Sequence, residues 1–291
     1  MLDALLDAVI DSLKILPFLF LTYLVMEYLE SHTEDHVRDL VKRAGWMGPF
    51  WGGLLGAVPQ CGFSAAASNL YAGRAISLGT LTAIFLSTSD EMIPIMISES
   101  VPVSRMLKIL LIKMIIGVIV GFVIDGVFHM LSSKKTGLPD DGEDFLIDRL
   151  CEKEHCHCEN GSIVISALKH TVNIILFVFA ITVLLNLAFY FLGENRLVTL
   201  GSSRPFLGIL ISAFIGLIPN CGASVILTQM YLHGVIPASH LIAGLLDGAG
   251  VGLLILFRVN PDLKENIKIT ALLYVLSVLF GLLVHALFLV F

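Results

Sequence analysis

Long apolar runs fill this chain, and polar residues interrupt them at matching places in its two halves. The first half has apolar runs at Ala8–Leu29, Ile76–Ile97 and Arg105–Leu131. The second half has them at Ile163–Leu192, Ser239–Phe257 and Ile267–Phe291. Each is long enough to cross a hydrocarbon core about 30 Å thick, which takes about 20 helical residues. Two shorter pieces lie in each half, Gly48–Val58 with Gly62–Ala72, and Phe206–Ile218 with Gly222–Leu232. Each of these is about half a spanning helix. The pattern predicts an all-α integral membrane protein of ten apolar segments, five in each half. A polar stretch separates the halves, so the expected organisation is a first transmembrane repeat at 1–131, a linker at 132–162 and a second repeat at 163–291.

The short pieces flank a motif that occurs twice. Pro59-Gln60-Cys61-Gly62 stands in the first half and Pro219-Asn220-Cys221-Gly222 in the second. Proline removes a backbone donor and glycine loosens the helix, so both stretches should break it. Such backbone is tolerated in a bilayer only where it is buried in protein or lines a cavity. The two motifs align at a constant offset of 160 residues. The same offset pairs Gly48 with Gly208, Ser64 with Ser224, Asn69 with Gln229, Tyr71 with Tyr231, Lys108 with Lys268 and Gly121 with Gly281. Chance agreement between apolar helices would match Leu and Val, so the offset indicates duplication. Each half has an odd number of crossings whether the short pair spans or re-enters, so the second repeat is expected to be inverted. Inverted repeats with helices interrupted at matching positions are the sequence pointer to a secondary transporter with a midplane site.

Composition supports the membrane class. Of 291 residues, 56% are hydrophobic and only 14% charged, and mean hydropathy is +0.89. A net charge of −6 argues against a nucleic-acid partner, which wants clustered Lys and Arg. Arg38, Lys42, Arg43, Arg74, Lys134, Lys135, Arg149, Lys153, Arg258, Lys264 and Lys268 fall on one predicted side, and Arg105, Lys108, Arg196 and Arg204 on the other. That imbalance puts the linker in the cytoplasm of a multi-pass plasma (inner) membrane protein, with both termini outside. No cleavable signal peptide is expected, because Asp3, Asp7 and Asp11 precede the first basic residue, Lys14. No phosphate-cradling loop and no catalytic constellation occurs, so an enzyme is not expected.

Three groups of residues carry candidate chemistry. At the breaks, Gln60, Cys61, Gly62, Ser64 and Asn69, with Asn220, Cys221, Gly222, Ser224 and Gln229, are candidate substrate contacts. Thiolates suit soft metals or a trivalent metalloid. The helix starts at Gly62 and Gly222 favour an anion, and the helix ends at Val58 and Ile218 favour a cation, so backbone alone leaves the sign of the substrate open. Within the crossings, Asp90, Glu91 and Asp247 are intramembrane carboxylates, and Ser87 and Thr88 add oxygens. Charged residues at that depth usually serve a cavity, an ion or a proton relay, and hard oxygen ligands suit manganese or magnesium. Ser87 is the offset partner of Asp247. In the linker, Cys151, His155, Cys156, His157 and Cys158 form a compact metal-binding tract. Asp125 and His285, also offset partners, read as solvated interfacial groups rather than as a relay.

With these residues in view, the chain resembles the ten-helix heavy-metal exporter family, whose members carry names such as arsenic efflux protein and manganese transporter. The resemblance rests on the two Pro-(Gln/Asn)-Cys-Gly breaks, the run Ser87-Thr88-Ser89-Asp90-Glu91, the Cys/His linker, and Ala167-Leu168-Lys169-His170-Thr171. It implies export of a metal or metalloid across the inner membrane. The resulting expectation is a secondary transporter for a divalent metal ion or metalloid, manganese-like or arsenite-like, coupled to protons and working by alternating access. Its partners would be the lipid bilayer and a small inorganic ion, with room for a homodimer. No cofactor is expected beyond a transported or linker-bound metal ion. Two other readings stay open: a transporter or channel for a small anion held at half-helix N-termini, and a metal-sensing membrane protein without transport.

Overall fold

The computed structural model describes residues 47–58, 61–89, 92–132, 205–219 and 221–290, together with isolated helical positions within 16–24 and 164–183. The linker, with Cys151, His155, Cys156, His157 and Cys158, lies outside the described residues, as do Gln60, Asp90, Glu91 and Asn220. The described elements are all helical. In the first half they are α1 (Gly48–Gly56), α2 (Cys61–Ala72), α3 (Leu78–Ser87), α4 (Met92–Ser98) and α5 (Val103–Ser132). In the second half they are α6 (Pro205–Leu217), α7 (Cys221–Leu232), α8 (Ala238–Leu246), α9 (Val251–Val259) and α10 (Leu263–Val290).

The offset of 160 governs the helix bounds as well as the sequence. Shifted by it, Cys61–Ala72 becomes Cys221–Leu232, and the starts of α3 and α5 fall on those of α8 and α10. The turn after α2 passes through a left-handed residue, Arg74 at φ 56°, and the turn after α7 does so at Gly234, φ 72°. Glycine adopts that conformation without a Cβ penalty, whereas arginine does so under strain.

Among the described residues four apolar segments are long enough to cross a membrane: Leu78–Ser98, Val103–Met130, Ala238–Val259 and Leu263–Leu287. They divide into two kinds. Val103–Met130 and Leu263–Leu287 are at most a third buried. Leu107, Leu111, Ile115, Ile119, Val123 and Val127 form an exposed stripe at every fourth position of α5, and Val275, Leu279, Leu283 and Leu287 do the same on α10. An outward apolar stripe suits a helix facing lipid. Leu78–Ser98 and Ala238–Val259 are three-quarters or more buried and form the centre.

The two central segments differ from the uninterrupted crossings predicted by their apolar runs. The first splits into α3 and α4, and the second into α8 and α9. Ser87, Thr88 and Ser89, and Asp247 with two glycines, stand where the chain departs from helix. Gly250 takes φ 53° and ψ −135°, a conformation that all but requires glycine.

Small residues set the packing. Gly48, Gly52 and Gly56 lie on one face of α1, and a Cβ on each would run into Thr80, Ile84 and Ser87 in turn, so α1 and α3 run side by side in the same direction. On the other side of α3, Gly79 faces Gly121 and Asp125, Ala83 faces Gly117, and Thr88 faces Lys113, which makes α5 antiparallel. In the second half α6, α8 and α10 pack in the same arrangement, with Gly216 against Gly244 and Gly281 against Ala243. Without a hydrophobic drive between helices in lipid, close backbone approach through small residues is the main source of such association.

The remaining short helices cross between the halves. The helix α2 packs on α9, and α7 packs on α4. Ser68 Oγ donates to the Gly252 carbonyl (2.6 Å), and three residues further on Tyr71 Oη donates to Glu265 Oε1 (2.6 Å). Thus α2 and α9 run in the same direction, locked at one end where Tyr71 and Asn260, the residue that closes α9, both donate to Glu265, and Asn260 also donates to Asn266. Across the halves, α4 and α7 share a core of Met92, Met96, Ala223 and Leu227.

Candidate functional site

Four helix interruptions meet at the middle of the protein. Gly56, at the end of α1, abuts Ser87 at the end of α3 so closely that a Cβ would overlap the hydroxyl. Gly216, near the end of α6, abuts the Gly244 carbonyl near the end of α8 in the same way. A Cβ on Gly252, at the start of α9, would lie 2.7 Å from Ser64 Cβ near the start of α2. Fourth, α4 packs on α7, with Met92 and Ala223 from their starts in one buried cluster. Two helix ends and two helix starts of each half therefore converge on one region.

The predicted substrate contacts fall around this region in different environments. Cys61 and Cys221 open α2 and α7. Gly62, Ser64 and Asn69 are buried, and the Asn69 side chain donates to the Ala65 carbonyl (3.1 Å). Gly222 lies in the first turn of α7, Ser224 is half-buried, and Gln229 is exposed although its offset partner Asn69 is fully buried.

The two central interruptions are chemically unlike. In the first half the hydroxyls are turned back on their own helix. Ser87 Oγ donates to the Ala83 carbonyl (2.7 Å), Thr88 Oγ1 to the Ile84 carbonyl (2.7 Å) and Ser89 Oγ to the Ser87 carbonyl (3.2 Å). Lys113 Nζ donates to the Thr88 carbonyl. That lysine is wholly buried. The helices α3 and α5 carry it to mid-depth, eight residues inside the apolar run Arg105–Leu131, where it is an intramembrane ionisable group.

In the second half Asp247 is 1% exposed, and neither carboxylate oxygen has a hydrogen-bond partner among the described residues. It closes α8, and its carbonyl accepts from Ala249 N (2.7 Å). Leu246 and Ala249 beside it belong to an apolar core with Leu86, Leu253 and Leu273. A buried carboxylate without partners requires a counter-charge, which a proton or a metal ion can supply. Among the described residues no three His, Cys, Asp or Glu side chains come together. Any ion at Asp247 would draw its remaining ligands from hydroxyl and backbone oxygens or from outside the described residues.

Asp125 and His285 are tied to protein groups rather than merely solvated. Asp125 accepts from Ser77 Oγ (2.6 Å) and Gly79 N (2.9 Å), and so caps α3 from the neighbouring helix. His285 Nδ1 lies 3.4 Å from Ser239 Oγ, the offset partner position of Gly79.

These features define an all-helical, multi-pass membrane protein whose interior helices break around a buried carboxylate. The chain belongs to the family described as "Putative, 10TM heavy-metal exporter", whose model matches residues 1–189 and 159–288. The family is one of transporters and not an enzyme class. No curated protein and no solved structure matches the chain.

Proposed function

We propose that the protein exports a divalent metal cation through the meeting point of the four interruptions, with Asp247 as the charged ligand. The observation that carries this reading is the buried, unpartnered Asp247 carboxylate at mid-span. Proton and metal ion then compete for one carboxylate, which couples metal export to proton entry. Alternating access follows from the two-half construction, in which α2 and α7 each pack on the opposite half.

In this reading the two halves are inverted repeats, and α1–α2 and α6–α7 are re-entrant hairpins. The length of the turn after α2 supports that. In line, α1 and α2 would reach about 30 Å. Yet α3 begins beside the start of α1, and the stretch 73–77 between α2 and α3 spans at most about 18 Å. A returning α2 removes the conflict. Cys61 and Cys221 at the tips, with Gln60 and Asn220, would add soft and amide ligands. Asp90 and Glu91 would serve proton binding on the first-half side. The Cys/His linker would gather metal on the cytoplasmic side of the inner membrane.

The test is flux in proteoliposomes across manganese(II), zinc(II), cadmium(II), arsenite and oxyanions, with and without a pH gradient. The expected result is uphill movement of a divalent metal that depends on the gradient. Flux of an oxyanion alone would replace this reading with an anion transporter, and absence of any flux with intact binding would favour a sensor. Cys61→Ala with Cys221→Ala at wild-type rates would remove the thiols from the site.

A further inference from the structure

Lys113 and Asp247 occupy opposite members of a duplicated pair of interruptions, and their surroundings explain one another. The offset partner of Thr88, whose carbonyl receives Lys113, is Gly248, the residue after Asp247. The offset partner of Lys113 itself is Leu273. Leu273 is wholly buried, in the same apolar core as Leu246 and Ala249, which flank Asp247 and Gly248. The first half thus places a lysine nitrogen on the carbonyl that ends its central half-helix. The second half places an apolar side chain at the matching position and leaves a carboxylate unmatched.

The end of a helix carries partial negative charge from its unsatisfied carbonyls, and a cation there is favoured. Both α3 and α8 end at mid-depth, so duplication presents two such positions. We propose that Lys113 is a resident cation that fills the first-half position, leaving the protein one exchangeable metal site, at Asp247 and Gly248. Lys113 is a positioning residue in this account: it sets how many ions bind and does not touch the transported one. This rests on the reading of Asp247 as the metal ligand and extends it to the number of ions carried.

The test is the number of manganese(II) ions bound per chain at saturation, measured by equilibrium dialysis on the purified full-length protein with Cys151, His155, Cys156, His157 and Cys158 replaced by Ala in every variant, wild type included, so that linker-bound metal is not counted. Wild type should bind one. Lys113→Gln keeps a hydrogen-bond donor but removes the charge, and should bind two. Lys113→Arg restores the charge and should return the count to one. Leu273→Lys supplies the second half with its own tethered cation and should bind none, whereas Leu273→Met should bind one. Monodispersity on size exclusion identifies which variants are folded, and if Lys113→Gln is not, Leu273→Lys decides alone. A folded Lys113→Gln protein with one ion, or a folded Leu273→Lys protein with one, overturns the proposal. Asp247→Asn separates the two ideas. If it keeps its ion, the Asp247 reading fails and this inference with it. If it loses the ion while the lysine variants match wild type, only the resident-cation idea fails.

Discussion

The end of α3 and the end of α8 correspond at the offset of 160, and they differ in one respect. Both are buried, both stop at the centre of a broken segment, and each is pressed by a glycine, Gly56 of α1 on α3 and Gly216 of α6 on α8. Around α3 every described hydroxyl is hydrogen-bonded internally and a lysine meets the terminal carbonyl. Around α8 a carboxylate stands without a partner among the described residues. On a shared packing arrangement, a few side chains leave one end saturated by internal hydrogen bonds and the other with a lone buried carboxylate.

If the scaffold is shared, equivalent insults should damage both copies alike, and this is the largest expected effect. A Cβ at Gly216 would meet the Gly244 backbone, and one at Gly56 would meet the Ile84 backbone at 2.6 Å as well as Ser87. Overpacking costs about 1–3 kcal/mol where side chains can yield, and backbone cannot yield so easily. Gly216→Ala and Gly56→Ala should therefore each abolish monodisperse protein in detergent. Gly126→Ala, which has open space around it, should not.

If the copies differ in charge, neutralising them should act with opposite sign. Asp247→Asn removes a lone buried carboxylate and should raise the metal-free thermal midpoint. Ser87→Ala removes hydrogen bonds within one helix and should lower it by the equivalent of about 1 kcal/mol. Equal shifts in the same direction would erase the contrast.

A smaller asymmetry lies at the ends of α2 and α7. Tyr71 is tied to Glu265, but the offset partner of Glu265 is Arg105, so no equivalent carboxylate faces Tyr231. Tyr71→Phe should cost about 1 kcal/mol in a chemical denaturation series, and Tyr231→Phe less. Smallest of all, Arg74→Ala should cost at most about 1 kcal/mol, because its 3.4 Å pair with Glu265 is exposed on the arginine side.

Much of this arrangement was readable in the chain. The repeated Pro-(Gln/Asn)-Cys-Gly motif marked both helix starts at Cys61 and Cys221, because proline and glycine act locally. The offset of 160 carried over to the helix bounds, because aligned residues have aligned propensities. The breaks after Ser87 and Asp247 were missed as breaks, since Ser, Thr and Gly are tolerated inside membrane helices and do not announce an end. The contact of Lys113 with Thr88 was hidden for a different reason. It depends on how α5 slides along α3, which is set by Gly117 and Gly121 against Ala83 and Gly79, a tertiary fit with no local signature. Asp125 was read as solvated because its partner, the open start of α3, lies 46 residues away in the chain. The offset had already paired Ser87 with Asp247; what it could not supply was that one is internally satisfied and the other is not.

The most direct measurement is gradient-driven manganese(II) flux by Asp247→Asn in proteoliposomes, at matched protein content and confirmed folding. The account predicts that flux falls at least a hundredfold while the protein remains folded. Wild-type flux from Asp247→Asn would contradict it.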